Sequence, residues 1–287
     1  MGTRSAEQSP SSARSGEGQR QTISLDLDGV IIQNPFYKGV LPRIRAHLRE
    51  APGLSGLEPE EALRRINDAI SEEWKARMAR GEFVSAYDWD SIYGAVALSL
   101  GAAPVPDVAG IVEECCGQEG MIALLPGARE GLEALRDAGF RLAAATNGYH
   151  PYQWPVLEAL GIAELFDTVL SPDRVGFAKP DARFFAGVPG LVAHVGDTLE
   201  HDVLGARRAG VVSVWLAAEL PESLRAVPLD ERVGRPEFEP FLEESLEKAL
   251  YRHFHGDARA EEYRPDYVVW GAGEFVRLAE VLLARCG

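Results

Sequence analysis

The chain has 287 residues, 46% of them hydrophobic and 25% charged, enough to bury a full core in one large domain or two modest ones. Its formal net charge is −15, which argues against non-specific partnership with nucleic acid or an anionic membrane. The three cysteines, Cys115, Cys116 and Cys286, form no CxxC pair, so no disulfide or zinc framework is expected and a reducing compartment is the natural reading.

The first 20 residues are rich in Ser, Arg, Gln and Glu and lack the apolar stretch of a secretion signal. They read as a disordered tail. No apolar run approaches the roughly 20 residues needed to cross a bilayer, so a cytoplasmic location and no membrane partner are expected.

Next comes the short apolar run Ile23-Ser24-Leu25, followed by Asp26-Leu27-Asp28-Gly29-Val30. In an extended strand, residues i and i+2 face the same side. Asp26 and Asp28 are therefore expected to face one cavity, with Gly29 allowing the chain to bend away. Two carboxylates held together repel, and one pKa rises unless a cation sits between them. The pair suits a nucleophile with a general acid, or a metal ligand with a general acid. An Asp-x-Asp-Gly turn also occurs in ordinary loops and calcium sites.

Residues 34–121 carry helical patterns, notably Pro59–Arg80 and Tyr87–Leu100, with no good strand between them. The stretch is far too long for a strand-to-helix connection. It reads as an inserted helical cap, hinged near 33–37 and 121–126. Trp74, Tyr87, Trp89 and Tyr93 sit at helical spacing and read mostly as cap core, with one or two lining a cavity. Cys115 and Cys116 read as buried cap residues.

From residue 122 strands and helices alternate. A helix is predicted over Ala128–Ala138 and closed by Gly139, then a strand over Phe140–Ala145. A helix over Tyr152–Leu160 is closed by Gly161 and followed by a strand over Asp167–Leu170. A short helix over Asp181–Ala186 precedes a strand over Leu191–Val195. A helix over Asp202–Ala209, closed by Gly210, leads into a strand over Val211–Leu216. Such alternation predicts an α/β fold, a Rossmann-like parallel sheet with helices on both faces. The core is expected over 21–33 and 122–287. Within it, Ala217–Arg264 stands out as a Pro- and Glu-rich excursion with one helix, Glu237–His253, read as solvated. The apolar run Tyr267–Trp270 follows.

Four islands carry chemistry: Asp26–Val30; Ala143-Ala144-Ala145-Thr146-Asn147-Gly148; Gly176-Phe177-Ala178-Lys179-Pro180-Asp181; and His194-Val195-Gly196-Asp197-Thr198-Leu199-Glu200-His201-Asp202. Ligands of such sheets bind beyond the carboxyl ends of the strands, which places Asp26, Thr146 and Asp197 on one rim. A phosphate monoester is an anion that repels its attacker, so a site must neutralise it, align it and stabilise its equatorial oxygens. Asp26 and Asp197 offer the oxygen ligands that Mg²⁺ prefers. Thr146 and the amides of Asn147 and Gly148 can donate to phosphoryl oxygens, and Lys179 supplies a fixed positive charge. Asp202 is placed to hold the lysine or metal-bound water.

In their order and spacing the four islands resemble the haloacid dehalogenase-like superfamily, in the form that carries a helical cap between its first and second motifs. Gly176 to Pro180 matches the Gly-x-x-Lys-Pro form, and Asp197 to Asp202 the Gly-Asp-x-x-x-x-Asp form. The resemblance implies that Asp26 is the nucleophile and becomes a phospho-aspartate. It implies that Asp28 is the general acid and then the base, and that the Asp28 carbonyl is a third metal ligand. Relatives that displace halide lack an aspartate at position 28, so its presence here implies phosphate chemistry. The expectation is a Mg²⁺-dependent phosphatase of a small phosphorylated metabolite, monomeric or homodimeric. A phosphomutase using the same intermediate, or a non-catalytic binding protein of the same fold, are the alternatives. His194 is expected to be a hydrogen-bonded core residue, His150 a loop residue, and His201 to have no part in the site. The long segment 217–264 departs from the compact form of the family.

Overall fold

The computed structural model describes residues 20–249, 254 and 258–286. Six strands form one parallel sheet. In chain order all eight described strands, two of them outside this sheet, are β1 (Thr22–Leu25), the short separate pair β2 (Ile32–Gln33) and β3 (Ala123–Leu124), β4 (Arg141–Ala145), β5 (Thr168–Leu170), β6 (Leu191–Gly196), β7 (Val212–Leu216) and β8 (Tyr267–Val269). The sheet order is β5-β4-β1-β6-β7-β8, with every neighbouring pair parallel. The chain thus builds outward from β1 to β4 and β5, then returns to β6 on the other side. That reversal opens a crevice at the carboxyl ends of β1, β4 and β6.

Both faces of this sheet are covered, because the strands are apolar on both sides. Leu142 and Ala144 of β4 join one buried cluster, while Ala143 and Ala145 join another. In β7, Val214 and Leu216 face the first cluster and Trp215 faces a third. The period of two assigns alternate side chains to opposite faces.

The segment between β2 and β3 is helical, with α1 (Leu41–Arg49), α2 (Pro59–Ala79), α3 (Trp89–Leu100) and α4 (Val108–Cys116). Local chemistry sets these boundaries. Pro59 opens α2, with Glu60 and Glu61 in the first turn. Asp88 and Asp107 cap α3 and α4 by accepting from the amides of Ser91 and Gly110. Gly101 closes α3 at a φ of 69°. The buried residues of the insertion, among them Ile44, Leu48, Val96 and Val108, run on into those of the first sheet face as one cluster. Chain entry and exit are tied together by β2 and β3, antiparallel with Ile32 opposite Leu124. The sequence shows no sign of this pair, because two residues a side are too few for a periodic pattern.

The remaining helices are α5 (Ala128–Asp137), α6 (His150–Ala159), α7 (Pro172–Val175), α8 (Leu204–Ala209), α9 (Glu222–Arg225), α10 (Phe238–Lys248) and α11 (Phe275–Cys286). Three local expectations change. Residues 182–185 form a 3₁₀ turn. Asp202 lies in a wider helical turn, Leu199–Val203, that leads into α8. His150 is the first residue of α6 rather than a loop residue, and its ring stacks on Trp154 at 5.5 Å.

The segment after β7 is not a solvated excursion. Leu220, Leu224, Phe238, Leu242 and Leu246 are buried with Trp215 and Val268 and close the second sheet face. Burial of that apolar surface outweighs the Glu-rich composition, which occupies the outer side of α10. Arg232 is fully buried here and pairs with Glu274 through two hydrogen bonds of 2.8 and 2.7 Å. The part of the expected helix beyond Lys248, at 250–253, lies outside the described residues, as does the expected tail apart from Arg20. No described helix is long and apolar enough to cross a membrane.

Candidate active site

The crevice at the sheet reversal is a cavity of about 570 Å³ between the strand ends and the helical insertion. Asp26, Asp28, Thr146, Asn147, Gly148, Lys179 and Asp197 all line it. Four separate parts of the sequence are brought together by the parallel strands β1, β4 and β6 and by the loop after α7.

Asp26 follows β1 directly, and its amide donates to the Val195 carbonyl at 2.8 Å. Lys179 Nζ lies 3.0 Å from Asp26 Oδ1 and 2.6 Å from Asp202 Oδ1. Lys179 is almost wholly buried. Burial works against its charge, but Asp202 and Asp26 outweigh it and raise the pKa. Asn147 holds the lysine loop in place. Its side chain donates to the Lys179 carbonyl at 3.1 Å and accepts from the Lys179 amide at 2.8 Å. The peptide bond between Lys179 and Pro180 is cis.

Asp202 is the most heavily bonded carboxylate. One oxygen accepts from Lys179 and from His194 Nε2 at 3.0 Å. The other accepts from the amide and hydroxyl of Thr198 at 2.9 and 2.6 Å. Burial alone would push its pKa up, yet Lys179 and His194 hold it below the usual carboxylate range. His194 lies in β6 with its other nitrogen 2.9 Å from Ser24 Oγ. Burial lowers its pKa, which fixes a neutral ring that donates to Asp202. It is the hydrogen-bonded core residue expected.

The other carboxylates are pushed the opposite way. Burial is the main cause in each case, raising Asp26 to about 7, Asp28 to about 6 and Asp197 to about 8. Asp28 Oδ2 accepts from Gln153 Nε2 at 2.7 Å, which moderates its rise. Gln153 is buried in α6 and lies next to Gly148, where a Cβ would come within 2.3 Å of Gln153 Nε2. Nothing in the sequence singles out Gln153. It lies one helical turn inside α6, a position that brings its side chain to Asp28.

Two glycines make room for the carboxylates. A Cβ on Gly29, which also has a φ of 79°, would lie 2.2 Å from Asp197 Oδ2. A Cβ on Gly196 would lie 2.0 Å from Asp202 Cγ.

The donor set fits a hard divalent cation. Oxygens of Asp26, Asp197 and Asp202 lie within 4.8 Å of one another. Asp202 is already committed to four donors, which leaves Asp26 and Asp197 as carboxylates open to a metal. The lining holds Asp26, Asp28 and Asp197 against a single lysine, an excess of acidic groups whose ionised form a divalent cation would stabilise.

The wall facing this rim is aromatic. Phe36, Tyr37, Tyr87, Trp89, Tyr93 and Tyr152 all reach the cavity. His201 also lines it, with Nε2 3.3 Å from the Tyr87 hydroxyl, contrary to the expectation that it has no part in the site. It does so because the wide turn after Thr198 swings residue 201 toward the insertion.

The chain belongs to the family of haloacid dehalogenase-like hydrolases, which residues 21–210 match. It is 43% identical over 131 residues to a phosphoserine phosphatase of Thermus thermophilus, covering 43% of this chain and 52% of that protein. It is 36% identical over 107 residues to a glyceraldehyde 3-phosphate phosphatase of Methanothermobacter thermautotrophicus, covering 35% and 47%. The chain thus spans about half the length of the curated relatives it matches. A phosphatase of the same superfamily from Thermococcus onnurineus has the same fold, with a TM-score of 0.56 at 24% identity over 70% of this chain and 88% of that one.

Proposed function

We propose that this protein is a Mg²⁺-dependent phosphatase that hydrolyses a small phosphorylated metabolite through a phospho-aspartate. The observation that carries this reading is the convergence of Asp26, Asp28, Thr146 and Lys179 on one cavity of metabolite size. The named phosphatases among its relatives support it.

Asp26 attacks phosphorus, and the bond from phosphorus to the leaving oxygen breaks. Lys179 holds the attacking carboxylate in position and adds positive charge where the phosphoryl group sits. Thr146 and the main-chain amides of Asn147 and Gly148 donate to the phosphoryl oxygens; the Asn147 side chain is occupied in tethering Lys179. Protonated Asp28 gives its proton to the leaving alkoxide. Ionised Asp28 then takes a proton from a water that attacks the phospho-aspartate, which frees phosphate and restores Asp26. A pKa of about 6 keeps both forms of Asp28 populated near neutral pH. Gln153 positions this carboxylate.

Asp26, Asp197 and the Asp28 carbonyl are the candidates to hold the metal, with Asp202 fixing Lys179 beside them. When bound, Mg²⁺ neutralises charge on the phosphoryl group. The insertion, from 34 to 121, acts as the cap that shields the reaction from water.

Phosphate release from a panel of phosphorylated metabolites, with and without Mg²⁺, tests the reading. Metal-dependent release is expected, and Asp26→Asn is expected to lower it by roughly 10³-fold or more without altering the fold. Wild-type rate in that variant would remove Asp26 from its role. Conversion of a sugar phosphate to its isomer, with little free phosphate, would identify a mutase.

A further inference from the structure

The chemistry that the aromatic wall and the charge of the cavity select is narrower than a small metabolite. Resting on the phosphatase reading, we propose that the substrate is a phosphate monoester of an uncharged alcohol bearing a flat unsaturated ring, and that a carboxylate in the leaving group is selected against.

Two independent features point there. The first is charge. Lys179 is the single lysine or arginine among the described residues that line the cavity, and it is spent on Asp26 and Asp202. The phosphoryl end has the metal site to neutralise it. Among the described lining residues no second lysine or arginine waits for another anionic group; Asp28 and Asp197 are acids, and His201 is taken up by the Tyr87 hydroxyl. A carboxylate on the leaving group would enter without a partner.

The second feature is shape. Trp89 and Tyr93 are stacked with centroids 5.5 Å apart, and Phe36 packs against Trp89 at 6.1 Å and edge-on to Tyr152 at 5.7 Å. These rings face the cavity from the insertion and from α6. The wall is held together by its own contacts with no ligand bound. Asp88 caps α3 and so fixes Trp89 in its first position, and the Tyr152 hydroxyl donates to Asp90 at 2.8 Å, tying α6 to α3. A preformed aromatic surface favours a flat ring over a flexible polar chain.

The test compares four esters in the presence of Mg²⁺: 2-phenylethyl phosphate, uridine 5′-monophosphate, glycerol 3-phosphate and phosphoglycolate. Calorimetric titration of the wild-type protein with the leaving alcohols 2-phenylethanol, uridine and glycolate gives a readout that needs no turnover. The expected order of kcat/KM is ring-bearing esters first, by about tenfold or more over glycerol 3-phosphate, with phosphoglycolate last. Both ring alcohols bind and glycolate does not. W89L weakens ring-alcohol binding by about 2- to 12-fold and lowers the ratio of 2-phenylethyl phosphate to glycerol 3-phosphate turnover by a similar factor. The faster of the two ring esters distinguishes a nucleotide from a simpler ring alcohol. Phosphoglycolate turned over as fast as the ring esters, or glycolate bound as tightly as uridine, would overturn the proposal and leave the phosphatase reading standing. Ring alcohols bound with no phosphate released from any ester would remove the phosphatase reading and keep the ring preference. Failure of both ring alcohols to bind would overturn the preference outright.

Discussion

At the scale of single residues, the candidate site separates four carboxylates, one buried and three half-buried, by their partners. Asp202 is ionised by a lysine and a neutral histidine, while Asp26, Asp28 and Asp197 are pushed upward by burial. Asp28 is tuned by one neutral amide. Gln153→Met keeps the bulk of the side chain and removes the hydrogen bond that lowers the Asp28 pKa. That pKa is expected to rise, so the alkaline limb of kcat/KM, set by loss of the proton that the leaving group needs, moves to higher pH. Separately from that shift, loss of the bond that orients the carboxylate lowers the plateau rate by about tenfold, the worth of one hydrogen bond to a charged group. An unchanged pH profile would show that Gln153 does not position Asp28. The aspartates, Thr146 and Lys179 were legible in the sequence because strand-end position and adjacent glycine or proline mark them. Gln153 and His201 were not, because they face the cavity through a helical rotation that no single sequence displays.

At the scale of elements, the alternation after residue 122 was legible because Gly139, Gly161 and Gly210 close helices and an apolar strand follows each. The segment after β7 misled through its composition. Its surface is rich in Glu and Pro, but Phe238, Leu242 and Leu246 recur at helical spacing and bury against Trp215. What anchors the segment to β8 is Arg232, which donates to the carbonyls of Val227, Val268 and Arg225 as well as to Glu274. Arg232→Met is expected to cost about 3–5 kcal/mol, because it leaves the buried Glu274 with only the exposed Arg277, 3.8 Å away, as a cation. Urea unfolding measures that loss. Turnover per folded molecule is expected to hold, since the pair lies away from the cavity lining; a full loss of activity in still-folded protein would refute this separation. The pairing of β2 with β3 was beyond sequence reading for another reason: its two short runs are separated by the whole insertion.

For the whole molecule, the balance of these carboxylates sets how stability depends on pH. Asp26, Asp28 and Asp197 have folded-state pKa values of about 7, 6 and 8, against an ordinary value of 3.8. The folded chain therefore keeps protons that the unfolded chain has released. Their contribution is present at low pH and is lost as pH rises through those values. Asp202, held low, acts in the opposite sense: its contribution is present above 3.8 and is lost as pH falls through its depressed value. The metal-free protein is thus expected to be more stable near pH 5.5 than near pH 8 (both approximate). A divalent cation bound to the ionised carboxylates reverses that decline. At about 100-fold excess over its Kd, Mg²⁺ is expected to raise Tm by about 5–10 °C at the higher pH and by clearly less at the lower one. Equal shifts at the two pH values would count against a carboxylate metal site.

The two glycines beside the carboxylates have a consequence for reading other sequences. A methyl group at 29, after β1, would press on Asp197, after β6, and one at 196 would press on Asp202 of its own motif. The hydrogen atom at 29 acts as a lock between two motifs that lie far apart in the chain, and the one at 196 lets a single motif fold back on itself. A relative can therefore retain all of the aspartates and still be silent, if either glycine has been replaced. Gly196→Ala in this chain reproduces such a sequence: the acidic residues survive, and the lysine they hold loses its seat.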